Sequence, residues 1–167
     1  GCWQVTVIDD ERLMDGMDEE WDPQVVADYV RRAVLEFQPT SLVTFDEYGV
    51  SGHLNHRRTC LGVKCFWEDP QLPVGQSAPT ALYTLHSVPW YRKFSGLLGV
   101  LWEAAKAPPG LCIAPSGLWN IVLVWRCMLG HWSQFVWYRM LFLLVSQYSM
   151  VNILHKQPSP LGRASPS

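Results

Sequence analysis

Two histidines, His53 and His56, stand three residues apart in the stretch GVSGHLNH, residues 49–56, which follows the apolar run SLVTF and Asp46. A neutral imidazole can bind a metal ion through one nitrogen, and an imidazole can also carry a proton near pH 7. The pair therefore suits both metal binding and proton transfer. The H-x-x-H pattern is short, however, and a loop in which His53 and Asn55 only satisfy backbone groups fits it equally well.

The elements around the pair favour a site. Strands are predicted at residues 3–9 (WQVTVID), 41–46 (SLVTFD) and 81–88 (ALYTLHSV), because these stretches are apolar and rich in β-branched residues. A helix is predicted to begin at Asp22-Pro23, where aspartate suits the N-cap and proline the first turn, and a second one over HLNHRRTCLGVKCFW. This alternation predicts a doubly wound α/β sheet, in which ligands lie at the carboxyl ends of the strands. The H-x-x-H stretch follows such an end.

Charge and tryptophan are distributed unevenly along the 167 residues. Residues 1–50 hold twelve acidic and three basic side chains, whereas residues 51–167 hold three acidic and ten basic ones. Six of the nine tryptophans lie in residues 90–137. Tryptophan beside basic residues is typical of a membrane interface, and an aromatic core with a solvated rim fits this composition equally well.

The domain prediction is a single partial domain over residues 1–154, followed by a disordered tail over residues 155–167 that is rich in proline and serine. Helices formed by residues 118–154 would be apolar around much of their circumference. This pattern is typical of helices that are buried or that lie on a membrane. Their longest apolar stretches are too short to span a bilayer, which takes about 20 apolar residues. We therefore predict that residues 88–154 lie on a membrane without crossing it. The five cysteines form no CxxC pair and are predicted to be reduced.

Four blocks of the sequence resemble the LmbE-like superfamily of zinc-dependent de-N-acetylases, in the order that the family has them. They are VIDDERLMDGMDEEWD, LVTFDEYGVSGHLNH, LYTLHSVPWYRKFSGLLG and HWSQFVWYRMLFLLVSQYSMVNIL. The resemblance implies a Rossmann-like three-layer α/β fold, here without its first strand and helix. It is strongest to the eukaryotic members that deacetylate N-acetylglucosaminyl-phosphatidylinositol, the second step of GPI-anchor biosynthesis, at the cytoplasmic face of the endoplasmic reticulum membrane.

The resemblance also implies roles for individual residues. Family members hydrolyse an N-acetyl amide with one zinc ion and a bound water. His56 matches the family's zinc ligand, and His53 matches the residue that acts as an acid or donates to the oxyanion. Asp46 is the candidate for orienting His53. His131 and Arg92 are candidates for contacting the glycolipid headgroup, although a structural role for His131 and a solvated one for Arg92 fit their positions too.

The family's remaining zinc ligands and its general base come from a His-Pro-Asp-Asp-Glu motif, which this sequence does not contain. The IDDER stretch, residues 8–12, offers two aspartates but lacks the histidine and the proline. We therefore expect the chain to be the C-terminal part of a deacetylase and to be inactive by itself. Two alternatives remain open: a non-catalytic fragment that binds a membrane or a partner, and a deacetylase of a soluble N-acetylglucosamine conjugate.

Overall fold

The computed structural model describes residues 4–16, 19–69, 79–106, 111–115, 118–130, 136–137 and 144–160. The chain divides into two compact units. One unit is Tyr83–Gln157, and the other is Gly1–Leu82 together with Pro158–Ser167. The passage from the first unit to the second lies within a strand, between Leu82 and Tyr83.

The first unit contains the elements that were predicted on either side of the two histidines and one short helix, α2, that was not predicted. They are α1 (Pro23–Phe37), β1 (Ser41–Phe45), α2 (Gly49–Gly52), α3 (Leu54–Glu68) and the start of β2 (Ala81–Leu85). The predicted start of α1 is confirmed, because the Asp22 carboxylate accepts a hydrogen bond of 2.8 Å from the backbone N–H of Gln24. The helix ends at Gln38, which adopts the left-handed conformation common at helix C-termini.

The core of the first unit lies where α1 and α3 pack against each other. One buried cluster comprises Ala27, Val34 and Phe66, and another comprises Val63, Trp67 and Leu82. Gly62 allows the close approach of the two helices, because a Cβ atom there would lie 2.4 Å from the Cβ of Val26. Helix α1 buries Val26, Ala27 and Val34, whereas Ala33 and Phe37 near its end are exposed.

The second unit completes β2 and adds two strands and four helices among the described residues. They are α4 (Trp90–Lys93), α5 (Gly96–Lys106), β3 (Leu111–Pro115), α6 (Leu118–Gly130), α7 (Gln147–Met150) and β4 (Val151–Lys156). The strand order is β1-β2-β4-β3. Strand β4 runs antiparallel to both of its neighbours, with Thr84 opposite His155 and Cys112 opposite Leu154.

The α/β class predicted from the sequence is therefore confirmed at the level of a mixed sheet with helices. The predicted strand at residues 3–9 is wrong for the part that the structure describes, since residues 4–10 form no strand. Val5 and Val7 are 78% and 85% exposed. β-Branched residues favour strands only where a pleated surface can pack against something, and these two side chains have little packed against them.

Strand β4 was not predicted. The sequence placed His155 and Lys156 in the tail, but both belong to this strand, whereas residues 161–167 lie outside the described part of the chain. The chain after residue 90 forms two helices, separated near Gly96, whose φ of 52° turns the backbone.

Two further findings concern the helices and the cysteines. None of the described helices has both the length and the apolar character needed to cross a membrane. Among the cysteines whose side chains are described, Cys60, Cys65 and Cys127 are free thiols.

Candidate active site

The turn between β1 and α3 has an unusual backbone. Gly49, Val50 and Gly52 have φ values of 66°, 66° and 79°. Positive φ is readily adopted by glycine, but it is strained for a β-branched residue such as Val50. Asp46 stabilises the turn, because its Oδ1 accepts hydrogen bonds from the backbone N–H groups of Tyr48 (3.2 Å) and Gly49 (2.9 Å). Strain of this kind is typical of sites where the backbone serves a function.

The ring of His56 is fixed by two contacts with this turn and with β1. Its Nδ1 lies 3.0 Å from the carbonyl oxygen of Gly49. Since a carbonyl oxygen can only accept, Nδ1 must carry the proton. On its other side the ring stacks on Phe45, with centroids 4.1 Å apart and planes 13° apart. In its neutral form the ring therefore carries its lone pair on Nε2, which is the arrangement of a histidine that binds a metal ion.

His53 lies directly before α3, at the N-cap position. Its ring is edge-on to that of His56, with centroids 5.5 Å apart and planes 71° apart. His53 is exposed, whereas His56 is half-buried. The two imidazoles thus lie side by side with different surroundings, one fixed by the backbone and one open to solvent.

The acidic segment before α1 anchors the start of α3. The carboxylate of Asp15 accepts a hydrogen bond of 3.0 Å from the side-chain amide of Asn55. Glu20 forms an ion pair with Arg58 one turn further along. Two acidic residues of this segment, Asp15 and Glu20, thus contact side chains of α3.

Asp10, in the IDDER stretch, is likewise engaged within the first unit. The Arg12 side chain, together with its backbone N–H and the Tyr29 hydroxyl, donates hydrogen bonds to the Asp10 carboxylate and holds its pKa well below the usual range. A carboxylate held in its ionised form by these donors is a poor proton acceptor near neutral pH.

The structure brings together three of the predicted site residues: His53, His56 and Asp46 all lie within the segment from β1 to the start of α3. The role of Asp46 in orienting His53 stays a prediction. Arg92 lies in the second unit, half-buried in the last turn of α4, and His131 lies outside the described residues.

Sequence reasoning missed the two groups that fix His56. One is the backbone oxygen of Gly49, which no residue type reveals. The other is the ring of Phe45, whose position as the last residue of β1, beside the histidine-bearing turn, was the available signal.

A catalytic zinc ion takes three protein ligands and keeps one position open. In the part of the chain that the structure describes, no three His, Cys, Asp or Glu side chains are grouped so that they could hold a metal ion. The free Nε2 of His56 suits one ligand position. The described residues therefore do not fit a catalytic zinc ion by themselves.

The two glycines with positive φ in the turn provide a matched test of how His56 is positioned. At Gly49 a Cβ atom would lie 2.7 Å from the Cβ of His56, whereas at Gly52 it would meet no heavy atom within 4 Å. We expect Gly52→Ala to lower the free energy of unfolding by about 1–2 kcal/mol through backbone strain alone. Gly49→Ala should cost about 1–3 kcal/mol more, because it also displaces α3 or the His56 ring.

Urea unfolding of both variants measures the difference in stability, and ring NMR resonances of His56 report on its position. Only Gly49→Ala should shift those resonances strongly. Equal stability losses with unchanged His56 resonances would show that Gly49 does not position this ring.

The chain was compared with known proteins by sequence. The chain is 33% identical over 156 residues to N-acetylglucosaminyl-phosphatidylinositol de-N-acetylase from Bos taurus. It is 29% identical over 156 residues to a probable N-acetylglucosaminyl-phosphatidylinositol de-N-acetylase from Schizosaccharomyces pombe. These alignments cover 90% and 91% of this chain but 57% and 60% of the relatives, so the chain spans little more than half of their length.

No protein-family model matches the chain, and no solved structure matches it significantly. An enzyme of the same name from Saccharomyces cerevisiae is 29% identical over 169 residues, which cover 84% of this chain and 55% of the enzyme. The resemblance indicated by the four sequence blocks is thus confirmed: over about nine tenths of its length, this chain is similar to the N-acetylglucosaminyl-phosphatidylinositol de-N-acetylases.

Proposed function

We propose that this chain carries part of the active site of an N-acetylglucosaminyl-phosphatidylinositol de-N-acetylase, which removes acetate from the N-acetylglucosamine of a glycolipid in GPI-anchor biosynthesis. The observation that carries the proposal is the histidine pair after β1, in which the His56 ring is fixed with Nε2 free and the His53 ring is exposed beside it. The names of the similar proteins support the choice of reaction.

The two histidines have different tasks in this proposal. Hydrolysis of an amide requires water to attack the carbonyl carbon, a tetrahedral oxyanion to be stabilised, and a proton to reach the departing nitrogen. His53, which is open to solvent, donates to the oxyanion or to the leaving amine. The Nε2 of His56 would supply one ligand to a zinc ion, and the other ligands would have to come from outside the described residues.

The proposal includes the inactivity of the chain as given. It has neither the His-Pro-Asp-Asp-Glu motif that the resemblance implies nor a set of three ligands among its described residues. We therefore propose that the metal-binding groups that must accompany His56 come from outside the described part of the chain.

The charge of the second unit supports an anionic substrate and a location at a membrane. Residues 83–157 contain six basic residues and one acidic residue, Glu103, which gives a formal charge of +5. Such a surface suits an anionic glycolipid and the negatively charged cytoplasmic leaflet. We place the protein at the cytoplasmic face of the endoplasmic reticulum membrane, with Arg92 as a candidate contact to the inositol phosphate.

The test compares two substrates. A version of the protein that also carries the missing motif should release acetate from N-acetylglucosaminyl-phosphatidylinositol at least about tenfold faster than from a water-soluble N-acetylglucosaminide. The reason is that binding energy from the remote phosphoinositol and lipid contributes to the rate. Equal rates would favour a deacetylase of a soluble conjugate, and no release from either substrate would favour a non-catalytic binding role.

A further inference from the structure

Helices α4 and α5 of the second unit expose a row of large apolar side chains. Trp90 is 77% exposed, Leu98 is 76% exposed and Leu101 is 59% exposed. We define the outer α4–α5 face by these residues together with Tyr91, Phe94 and Trp102, all of which have large exposed fractions. A group of exposed apolar residues of this size commonly marks a surface that contacts a membrane or another molecule.

The row is a helix face and not a scatter of single residues. Leu98, Leu101 and Trp102 are spaced three and four residues apart, so they lie along one side of α5. The fold uses a different side of this helix: α5 packs against α7, and Gly99 is buried, so that a Cβ atom there would lie 2.1 Å from the Oγ of Ser95 and 2.8 Å from the Oε1 of Gln147. The exposed stripe is therefore not needed for packing between these two helices.

The charge beside this face favours a lipid over a protein as the occupant. Arg92 and Lys93 form the last turn of α4, between Trp90 and Phe94. The sequence from residue 70 to residue 102 contains no Asp or Glu. Tryptophan and tyrosine with neighbouring basic residues are the combination that settles at the boundary between lipid headgroups and acyl chains.

We propose that the outer α4–α5 face binds the surface of a membrane that contains anionic lipid, with its leucines and aromatic rings at the level of the upper acyl chains. Arg92 and Lys93 then meet the lipid phosphates. The choice of a lipid partner rests in part on the proposed function, because a glycolipid headgroup must be reached at a membrane surface. The proposal goes further by naming the face and its orientation.

The experiment is flotation of the 167-residue chain with vesicles of phosphatidylcholine, with and without phosphatidylinositol. We expect binding to the anionic vesicles that weakens as salt is added. The Leu98→Asn/Leu101→Asn variant should bind at least about tenfold more weakly, since two leucines no longer enter the apolar layer. A matched control, Leu35→Asn/Leu61→Asn, changes two exposed leucines of the first unit and should bind like the wild type.

Charge is tested separately. Arg92→Gln/Lys93→Gln should lower binding to anionic vesicles by on the order of tenfold and leave weak binding to phosphatidylcholine unchanged. Arg12→Gln/Arg32→Gln removes the same charge from exposed residues of the first unit and should lower the binding much less.

A measurement on the wild-type chain keeps the proposal testable even if a variant fails to fold. Anionic vesicles should slow hydrogen exchange in α4 and α5 and leave α1 unchanged. Unchanged exchange in α4 and α5 despite flotation, or equal loss of binding in the control variants, overturns the proposal. So does self-association of the chain that the leucine variant abolishes while lipid binding persists, because the occupant is then a second copy.

None of these lipid-binding measurements uses enzyme activity, so their outcome can be compared with that of the separate acetate-release test. If lipid binding fails while deacetylation of the glycolipid is intact, the outer α4–α5 face does not bind a membrane, but the proposed function still holds. Lipid binding without deacetylation by the completed protein would reject the proposed function and keep the face.

Discussion

Replacement of His56 by alanine, in a version of the protein that also carries the His-Pro-Asp-Asp-Glu motif, is expected to abolish zinc binding and acetate release together. The ring of His56 is held by the Gly49 oxygen and Phe45 so that Nε2 is free. Loss of such a ligand should lower zinc affinity by more than about 100-fold, since even partners that only orient a ligand contribute 10–100-fold.

His53→Ala is the matched variant three residues away. Its ring is exposed and has no comparable backbone anchor in the turn. We expect the variant to keep its zinc and to lose turnover by about 100-fold to 10,000-fold, the usual contribution of a group that transfers a proton in the transition state. The contrast between the two histidines is the signature of their separate roles.

Metal analysis and an acetate-release assay on both purified variants provide the measurement. His155→Ala, a histidine on β4 whose ring contacts His86, serves as the control and should keep both zinc and activity. Full zinc occupancy in His56→Ala would remove His56 as a ligand. Zinc loss in His53→Ala would show that the two roles have been exchanged.

Three independent signals that coincide after β1 predict the position of the candidate site. A short apolar run predicts a strand, Gly49 and Gly52 predict a tight turn, and the histidine spacing suggests a function. The contacts that orient His56 were not predictable, since one of them is a backbone oxygen. The anchoring of Asn55 by Asp15 also joins residues 40 positions apart, which no local pattern reveals.

There are also physical reasons why sequence reasoning missed some elements. β4 is a short apolar segment within a long apolar stretch, and periodicity alone does not separate strand from helix there. Its alternation of buried and half-buried residues, with Val151 and Ile153 inside, becomes visible only when β2 and β3 are beside it. Residues 4–9 show the opposite case. Their residue types favour a strand, but they are not paired with any strand in the structure.

The 167-residue chain itself is expected to release no acetate from N-acetylglucosaminyl-phosphatidylinositol when zinc is added. His56 would supply one ligand where catalytic zinc takes three, and the described residues offer no group of three metal-binding side chains. The IDDER stretch does not replace the missing groups, because Asp10 is engaged by Arg12 and Tyr29. Without the metal, neither an activated water nor a polarised carbonyl is available.

The most direct measurement is therefore acetate release by this chain beside a version with the His-Pro-Asp-Asp-Glu segment restored, each with and without His56→Ala. We predict turnover only in the restored protein with His56 intact. Zinc-dependent turnover by the 167-residue chain, lost in His56→Ala, would contradict this account, because the chain would then hold a complete site with ligands other than those assigned here.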